Sequence, residues 1–150
     1  MNIIIPEVKI SVRYKNKVST SQLFKIKNSN DIAELSRNLF NGDTILWTEE
    51  LIAIFLNSQL KVIGYYKMAS GSTNSCICDP KVLFTAALNC TASLIILCHN
   101  HPSGNENPSE SDIKATKNIK SAGDILGIKL LDHLIITKEG FYSFADEGKI

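Results

Sequence analysis

The stretch LIILCHNHPSGNENPSESD, residues 94–112, decides how this chain is expected to fold. Its first five residues, 94–98, are all apolar, which is typical of a strand that is covered on both faces of a sheet. A polar loop with two prolines follows, and a helix is predicted to begin at Glu110. Because a buried strand leads directly into polar side chains, we expect those side chains to gather at the end of an interior strand.

Strands and helices alternate outward from this stretch on both sides. The predicted strands are residues 51–56, 62–68, 94–98, 130–137 and 141–144. The predicted helices are residues 31–40, capped by Asn30 or Asp31, residues 80–89, capped by Asp79, and residues 110–126. The last two strands form a predicted hairpin, which excludes a purely parallel sheet. The expected fold class is therefore α/β, with helices that sandwich a mixed β-sheet.

The first 28 residues are expected to form an N-terminal arm or a β-hairpin, and residues 29–150 to form the domain. Residues 8–14 alternate between polar and apolar, residues 15–17 have the composition of a turn, and residues 18–24 would return as a second strand. A chain of 150 residues suits one domain that buries a core without disulfides.

The composition is that of an ordinary globular protein, with 44% hydrophobic and 21% charged residues. The formal net charge of +1 gives no sign of the basic surface that nucleic-acid-binding domains show. The N-terminus has no signal-peptide pattern and residues 94–98 are too short to cross a bilayer, so we expect a cytoplasmic protein without membrane association. The four cysteines are then expected to be reduced, and the pair Cys76 and Cys78 lacks a second pair at zinc-finger spacing.

Two histidines and an aspartate within residues 94–112 have the composition of a catalytic zinc site. His99 and His101 are two residues apart, so their imidazoles point to the same side of an extended chain. Asp112 lies in the first turn of the next helix, and two histidines with one carboxylate leave the fourth position of zinc open for water. Spacing alone leaves a second explanation equally open, because Ser109 and Asp112 also have the spacing of a capping box.

The complete pattern resembles the JAMM motif of the JAB/MPN metalloprotease family. The residues that match this motif are His99, His101, Ser109 and Asp112. A narrower resemblance, to the RadC-like proteins of that family, rests on HNHPSGNENPS (99–109), LLDHLIIT (130–137) and FYSFADEG (141–148). It implies a cytidine-deaminase-like α/β sandwich and one zinc ion per chain. Longer RadC-like proteins carry an N-terminal helix-hairpin-helix region, and this chain is expected to be a short form that has only the arm there.

The resemblance also implies a role for each site residue. The implied zinc ligands are His99, His101 and Asp112. Ser109 would donate a hydrogen bond to the developing oxyanion. RadC-like chains place a glutamate eight residues before the polar residue that ends the first central strand, here Asn57, and that count selects Glu49. Glu49 would act as general base and then general acid for the zinc-bound water, whereas Glu50 would point to the opposite face of the strand.

The expected function is that of a zinc-dependent metallohydrolase, and the resemblance implies a metallopeptidase or isopeptidase with a peptide or protein substrate. The site chemistry by itself indicates only metal-assisted hydrolysis. The alternative is a DNA-repair-associated protein that acts on or near nucleic acid, which the net charge does not support. A zinc deaminase would need a Pro-Cys-x-x-Cys segment, which this sequence lacks. The sequence assigns no oligomeric state.

Several neighbouring residues are expected to have structural roles. His133 lies in an apolar strand beside Asp132, so a hydrogen-bonded core histidine is favoured over a metal ligand. A basic stripe on the last long helix is interpreted as a solvated face and comprises Lys114, Lys117 and Lys120. Residues expected to border the cleft without acting in catalysis are Ser70, Gly71 and Thr73, while Trp47 would line the cleft or pack.

Overall fold

The computed structural model describes residues 5–16, 18–40, 42, 45–70 and 78–150. A short 3-10 helix, Thr20–Gln22, precedes the main elements of these ranges. The α-helices are α1 (Ser29–Leu39), α2 (Pro80–Asn89) and α3 (Glu110–Leu126). The strands are β1 (Glu50–Leu56), β2 (Val62–Ser70), β3 (Leu94–Asn100), β4 (Lys129–Ile136) and β5 (Phe141–Ser143).

The strands form one mixed sheet, as the sequence predicts. Their spatial order is β2-β1-β3-β4-β5, and β3 pairs with β4 in parallel while the other neighbours pair antiparallel. Helix α1 packs on one face of the sheet through Ile32 and Ala33. Helices α2 and α3 cover the other face through Leu83, Phe84 and Ile119. The expected α/β sandwich is thus confirmed, with β3 in the middle of the sheet.

Two of the three inner strands, β1 and β3, are largely apolar because both of their faces are covered. Every residue of β1 is buried, and β3 is buried from Ile95 onward. Side chains of β1 alternate between the α1 side, where Ile54 packs, and the side of α2 and α3, where Ala53 packs. Burial of each such Leu or Ile contributes roughly 1.5–3 kcal/mol. This packing fixes the position of the end of β3, where the polar loop begins.

Helix α1 begins at Ser29, with Asn28 as its N-cap rather than the predicted Asn30 or Asp31. The side chain of Asn28 accepts a hydrogen bond from the backbone N–H of Asp31 at 3.0 Å. The Asp31 carboxylate in turn accepts from the backbone N–H of Lys27 at 2.8 Å. Asp31 therefore lies in the first turn of α1, where its negative charge also interacts favourably with the helix dipole.

The other two helices have their predicted bounds. Asp79 caps α2 by accepting from the backbone N–H of Lys81 at 2.9 Å, and Pro80 follows as the first helical residue. Helix α3 ends at Leu126 and is capped by Gly127, whose φ of 69° is in the left-handed region that favours glycine. Within the described parts of the chain, no helix has the length and apolar character needed to cross a bilayer.

Of the two forms expected for the first 28 residues, an arm or a β-hairpin, the described residues show no hairpin. Residues 5–16 contain no strand, and a 3-10 helix takes the place of the predicted return strand. Val8 is 81% exposed and Ile10 is 69% exposed. Alternating hydrophobicity stabilises a strand only when a neighbouring surface covers the apolar face, and these side chains have little such cover. The division between an arm and a domain at residue 28 stays a prediction.

Gly123, near the end of α3, lets the chain turn back closely toward β4. A Cβ atom at this position would overlap the backbone carbonyl oxygen of Ile128. We expect Gly123→Ala to lower the free energy of unfolding by about 1–3 kcal/mol, a typical cost of overpacking, although alanine is the better helix former. Urea unfolding measures this, with the exposed Ser121→Ala as a control that should change stability by less than about 0.5 kcal/mol. A Gly123→Ala variant as stable as the wild type would contradict the close approach.

Candidate metal centre

Both site histidines lie at the end of β3. The strand extends to Asn100, two residues beyond the predicted end, so His99 belongs to the strand and His101 follows it directly. Odd-numbered side chains of β3 such as Leu97 pack against the layer of α2 and α3. His99 shares their parity, so it is presented on the side of the sheet where α3 begins.

Three side chains bring candidate ligand atoms together at this point. The Nε2 atom of His99 lies 2.9 Å from Nε2 of His101 and 3.3 Å from Oδ1 of Asp112. The Nε2 atom of His101 lies 3.6 Å from Oδ2 of Asp112. Two ligand atoms on a tetrahedral zinc ion are about 3.3 Å apart, given bonds of 2.0–2.1 Å. The predicted ligands therefore have a spacing that fits one ion, and the described residues contain this one cluster of that kind.

The hydrogen bonding of His101 also fits a cation. Its Nδ1 lies 2.7 Å from the backbone carbonyl oxygen of Asn105, and because a carbonyl can only accept, Nδ1 carries the proton. In the neutral ring, Nε2 then presents a lone pair toward His99 and Asp112. Burial acts to lower the pKa of His101, but the hydrogen bond with Asp112, the Asn105 carbonyl and the charges of Asp112 and Glu49 outweigh it and raise the pKa. The surroundings of Nε2 thus favour a positive charge.

His133 is the buried, hydrogen-bonded core histidine that the sequence predicts. It is 3% exposed, and its Nε2 lies 2.9 Å from Nδ1 of His99. Its ring stacks on Phe144, with centroids 5.0 Å apart and an interplanar angle of 8°. Burial lowers the pKa of His99 to about 4 and holds the pKa of His133 well below its usual value. Both rings are therefore neutral near pH 7, which is the form in which imidazole binds metals.

Asp112 forms the capping box and also lies against the two histidines. Its Oδ2 accepts from the backbone N–H of Ser109 at 2.7 Å, and Ser109 Oγ accepts from the backbone N–H of Asp112 at 3.2 Å, so the capping box of α3 forms. Its Oδ1 remains directed toward His99. Burial acts to raise the pKa of Asp112, but hydrogen bonds with His101 and Ser109 outweigh burial and hold the pKa far below its usual range. One carboxylate thus ties down the helix and faces the histidines.

The Ser109 side chain lies next to the candidate ligands but is engaged in the cap. Its hydroxyl contacts Oδ2 of Asp112 and lies 2.8 Å from Oγ of Ser111. Ser109 is exposed, so its hydroxyl can turn toward solvent or substrate. The implied role of Ser109 as an oxyanion donor stays a prediction.

Glu49 directly precedes β1. Leu51 of β1 pairs with His99 at the end of the antiparallel ladder, so Glu49 and His101 both lie just beyond this end of two neighbouring strands. Burial raises the pKa of Glu49, the His101 charge opposes that rise, and the Asp112 charge adds to it. The structure therefore brings Glu49 within electrostatic range of two candidate ligands.

Glu50 points away from this cluster, as strand parity predicts. It is 7% exposed, and its Oε2 lies 3.6 Å from Nζ of Lys67 on the neighbouring strand β2. The Glu50 side chain is thus engaged with β2, and the choice of Glu49 as the acid–base residue stays a prediction.

Asn100 is not among the predicted site residues, yet it holds the segment that carries Glu49. Asn100 is 1% exposed, and its Oδ1 accepts from the backbone N–H of Glu50 at 2.6 Å. Its Nδ2 donates to the backbone carbonyls of Ile45 at 2.6 Å and Thr48 at 2.9 Å. The sequence does contain a signal for this role, because an asparagine lies between two histidines at the end of a buried strand. A buried side-chain amide needs hydrogen-bond partners, which neighbouring backbone segments can supply.

The remaining predicted neighbours contribute less to the site. Trp47 is 71% exposed, so it does not pack in the core. Lys120 pairs with Asp124 at 3.2 Å on the exposed side of α3, in agreement with a solvated face. Ser70 is the last residue of β2. The residues named above that lie outside the described part of the chain are Lys17, Gly71, Thr73 and Cys76.

Comparisons with known proteins agree with this geometry. The family described as RadC-like JAB domain matches residues 26–149. A UPF0758 protein of Clostridium botulinum (strain Alaska E43 / Type E3) is 43% identical over 139 residues, which are 92% of this chain and 59% of that protein. A UPF0758 protein of Flavobacterium johnsoniae is 49% identical over 100 residues, which are 67% of this chain and 44% of that protein. The chain thus spans less than two thirds of the length of these relatives. From its sequence match and its fold, the chain belongs to the RadC-like JAB domain family.

Proposed function

We propose that this chain is a zinc-dependent hydrolase that cleaves amide bonds in a peptide or isopeptide substrate. The observation that carries the proposal is the convergence of His99, His101 and Asp112 on one point, with Glu49 on the adjacent strand end. Membership of the JAB family supports the choice of an amide as the bond that is cleaved. The site chemistry supports hydrolysis more generally.

The ion would be held by Nε2 of His99, Nε2 of His101 and Oδ1 of Asp112. A zinc ion bound by these three residues would supply Lewis-acid activation of the substrate carbonyl and of a water molecule near neutral pH. The backbone carbonyl of Asn105 orients the His101 ring, and the capping box of Ser109 orients the Asp112 carboxylate. Because these hydrogen bonds already orient the two side chains, less conformational entropy would be lost when a metal binds.

Glu49 would move the proton in this reaction. Its carboxylate takes a proton from the attacking water and returns it to the amine that leaves, so one group acts as base and then as acid. Asn100 holds the backbone on both sides of Glu49, which keeps the carboxylate in place without rearrangement of the loop. The partly buried position of Glu49, which raises its pKa, suits a group that must both accept and donate a proton.

Cleavage assays with and without zinc test this function. Metal-free protein would be incubated with a peptide library and a set of lysine-linked isopeptides, before and after addition of one equivalent of zinc. We expect cleavage only in the presence of zinc, its loss on addition of a chelator and its return when zinc is restored. Cleavage that persists in metal-free protein would contradict the proposed mechanism.

The same preparations distinguish the alternative, a protein that acts on or near nucleic acid. Binding to duplex and single-stranded DNA would be measured at 50 and 200 mM salt. A protein that contacts six to ten phosphates loses about 10³- to 10⁵-fold in affinity over this range. Because the net charge is only +1, we expect no such salt-dependent binding. Strong salt-dependent binding without cleavage of any amide would favour the alternative.

A further inference from the structure

A chain of buried hydrogen bonds leads from helix α3 to the ring of His99. Oγ1 of Thr116 lies 2.7 Å from the backbone carbonyl oxygen of Asp112 and 2.7 Å from Nδ1 of His133. Nε2 of His133 lies 2.9 Å from Nδ1 of His99. Thr116 and His133 are 2% and 3% exposed, so solvent does not compete for these contacts.

The contact between Thr116 and the backbone carbonyl of Asp112 fixes the direction of the other two hydrogen bonds, from His133 to Thr116 and from His99 to His133. A carbonyl oxygen has no proton, so the hydroxyl of Thr116 donates to Asp112. The same hydroxyl oxygen must then accept from Nδ1–H of His133, which leaves Nε2 of the neutral His133 as an acceptor. That acceptor requires a proton on Nδ1 of His99, and Nε2 of His99 is left with its lone pair.

We propose that Thr116 and His133 are positioning residues that fix the tautomer of His99, with the proton on Nδ1 and the lone pair of Nε2 directed toward His101 and Asp112. This inference rests on the proposed function, because the lone pair serves as a ligand only if the cluster binds a metal. The tautomer itself is a property of the metal-free protein. Neither Thr116 nor His133 would contact the metal or the substrate.

The fold holds the His133 ring firmly in this orientation. The backbone N–H of His133 donates to Oδ1 of Asp132 at 2.7 Å, and the ring stacks on Phe144. A bulge in β4 also matters, because consecutive residues Ile95 and Ile96 of β3 pair with Leu130 and Asp132. The extra residue in β4 reverses the side-chain alternation.

The bulge brings His133 to the side of the sheet that holds the site. Leu130 packs on the side of α2 and α3, and strict alternation from there would place His133 on the α1 side. With the bulge, His133 instead faces Thr116 and His99, while Leu134 packs on the α1 side. The series of hydrogen bonds from Thr116 through His133 to His99 therefore depends on a specific register of the β3–β4 pair.

Long-range ¹H–¹⁵N NMR of the metal-free, ¹⁵N-labelled protein reads the tautomer directly, and the chain has three histidines to assign. We expect a protonated Nδ1 and an unprotonated Nε2 in both His99 and His133. Thr116→Val removes the hydroxyl at nearly constant volume, so we expect a mixed or reversed tautomer of His99 and zinc affinity weaker by about 10- to 100-fold, as for other outer hydrogen-bond partners. Zinc affinity would be measured by competition with a colorimetric chelator.

Two further variants separate positioning from a general effect on α3. Thr116→Ser keeps the hydroxyl and should restore both the wild-type tautomer and zinc affinity to within about threefold. Ser121→Ala removes a hydroxyl that makes the same bond to the carbonyl four residues earlier, Lys117, on the exposed side of α3, and should change neither readout.

The outcomes distinguish this inference from the proposed function. A proton on Nε2 of His99 in the metal-free wild type, or unchanged zinc affinity in Thr116→Val, would contradict the positioning role of Thr116 and His133, even if the wild type binds zinc and cleaves amides. A wild type that has the expected tautomer but binds no zinc would overturn the proposed function and leave the assignment of the tautomer standing.

Discussion

Replacement of Glu49 by glutamine is expected to slow amide hydrolysis by about 10²- to 10⁴-fold, the usual contribution of general acid–base catalysis. Glutamine keeps the size of the side chain and its neutral hydrogen-bonding capacity but cannot accept a proton from water. Because Glu49 is not among the three candidate ligands, the zinc content should stay at one ion per chain. The measurements are kcat on a substrate found in the cleavage screen and zinc by elemental analysis.

Glu50→Gln is the matched control for this prediction, since it makes the same chemical change one residue along the chain. Glu50 lies on the other face, where it contacts Lys67 at 3.6 Å, so kcat should change little. Lys67 is 47% exposed, and loss of a partner for such a cation has a small effect on stability. Equal losses of activity in the two variants, or full activity in Glu49→Gln, would remove Glu49 from its assigned role.

The second large effect is expected when a candidate ligand is replaced, and the property that changes is the affinity for zinc. We expect His101→Ala and Asp112→Asn each to weaken zinc binding by more than the 10- to 100-fold typical of an outer hydrogen-bond partner. Asparagine at position 112 retains a side-chain oxygen that accepts from Ser109, so the start of α3 should lose at most about 1 kcal/mol. Chelator competition measures the affinity, and urea unfolding measures the stability.

Asp124→Asn is the control for the change of charge in α3, because Asp124 is exposed and pairs only locally with Lys120 among the described contacts. Its zinc affinity should equal that of the wild type. Wild-type zinc content in both His101→Ala and Asp112→Asn, after equilibration with chelator, would mean that the cluster is a set of capping and hydrogen-bonding residues and would end the metal hypothesis.

Features with a local cause could be predicted from the sequence. The apolar run of β3 predicted an inner strand, and the Asp79-Pro80 pair predicted the start of α2, because burial and capping act over a few residues. The spacing of His99 and His101 predicted a shared direction for their rings. Alternation is also local, whereas a strand needs a distant partner to pair with, so the hairpin that was one of two forms expected for the N-terminal segment is absent from its described residues.

Other features depended on the tertiary structure. Spacing left Asp112 between a capping and a metal-binding role, and in the folded protein its carboxylate forms the capping box and also faces His99. Glu49 and His101 lie beyond the same end of the β1–β3 ladder because these two strands are neighbours, and the contact between His133 and His99 follows from the bulge in β4.

The sequence by itself thus determined the central strands and helices and the set of candidate ligands, since each depends on residues a few positions apart. The tertiary structure alone decided which residues from different strands meet. The physical reason is that a shift of one residue in strand pairing moves every side chain to the opposite face. Only the packing of the whole sheet selects among such registers.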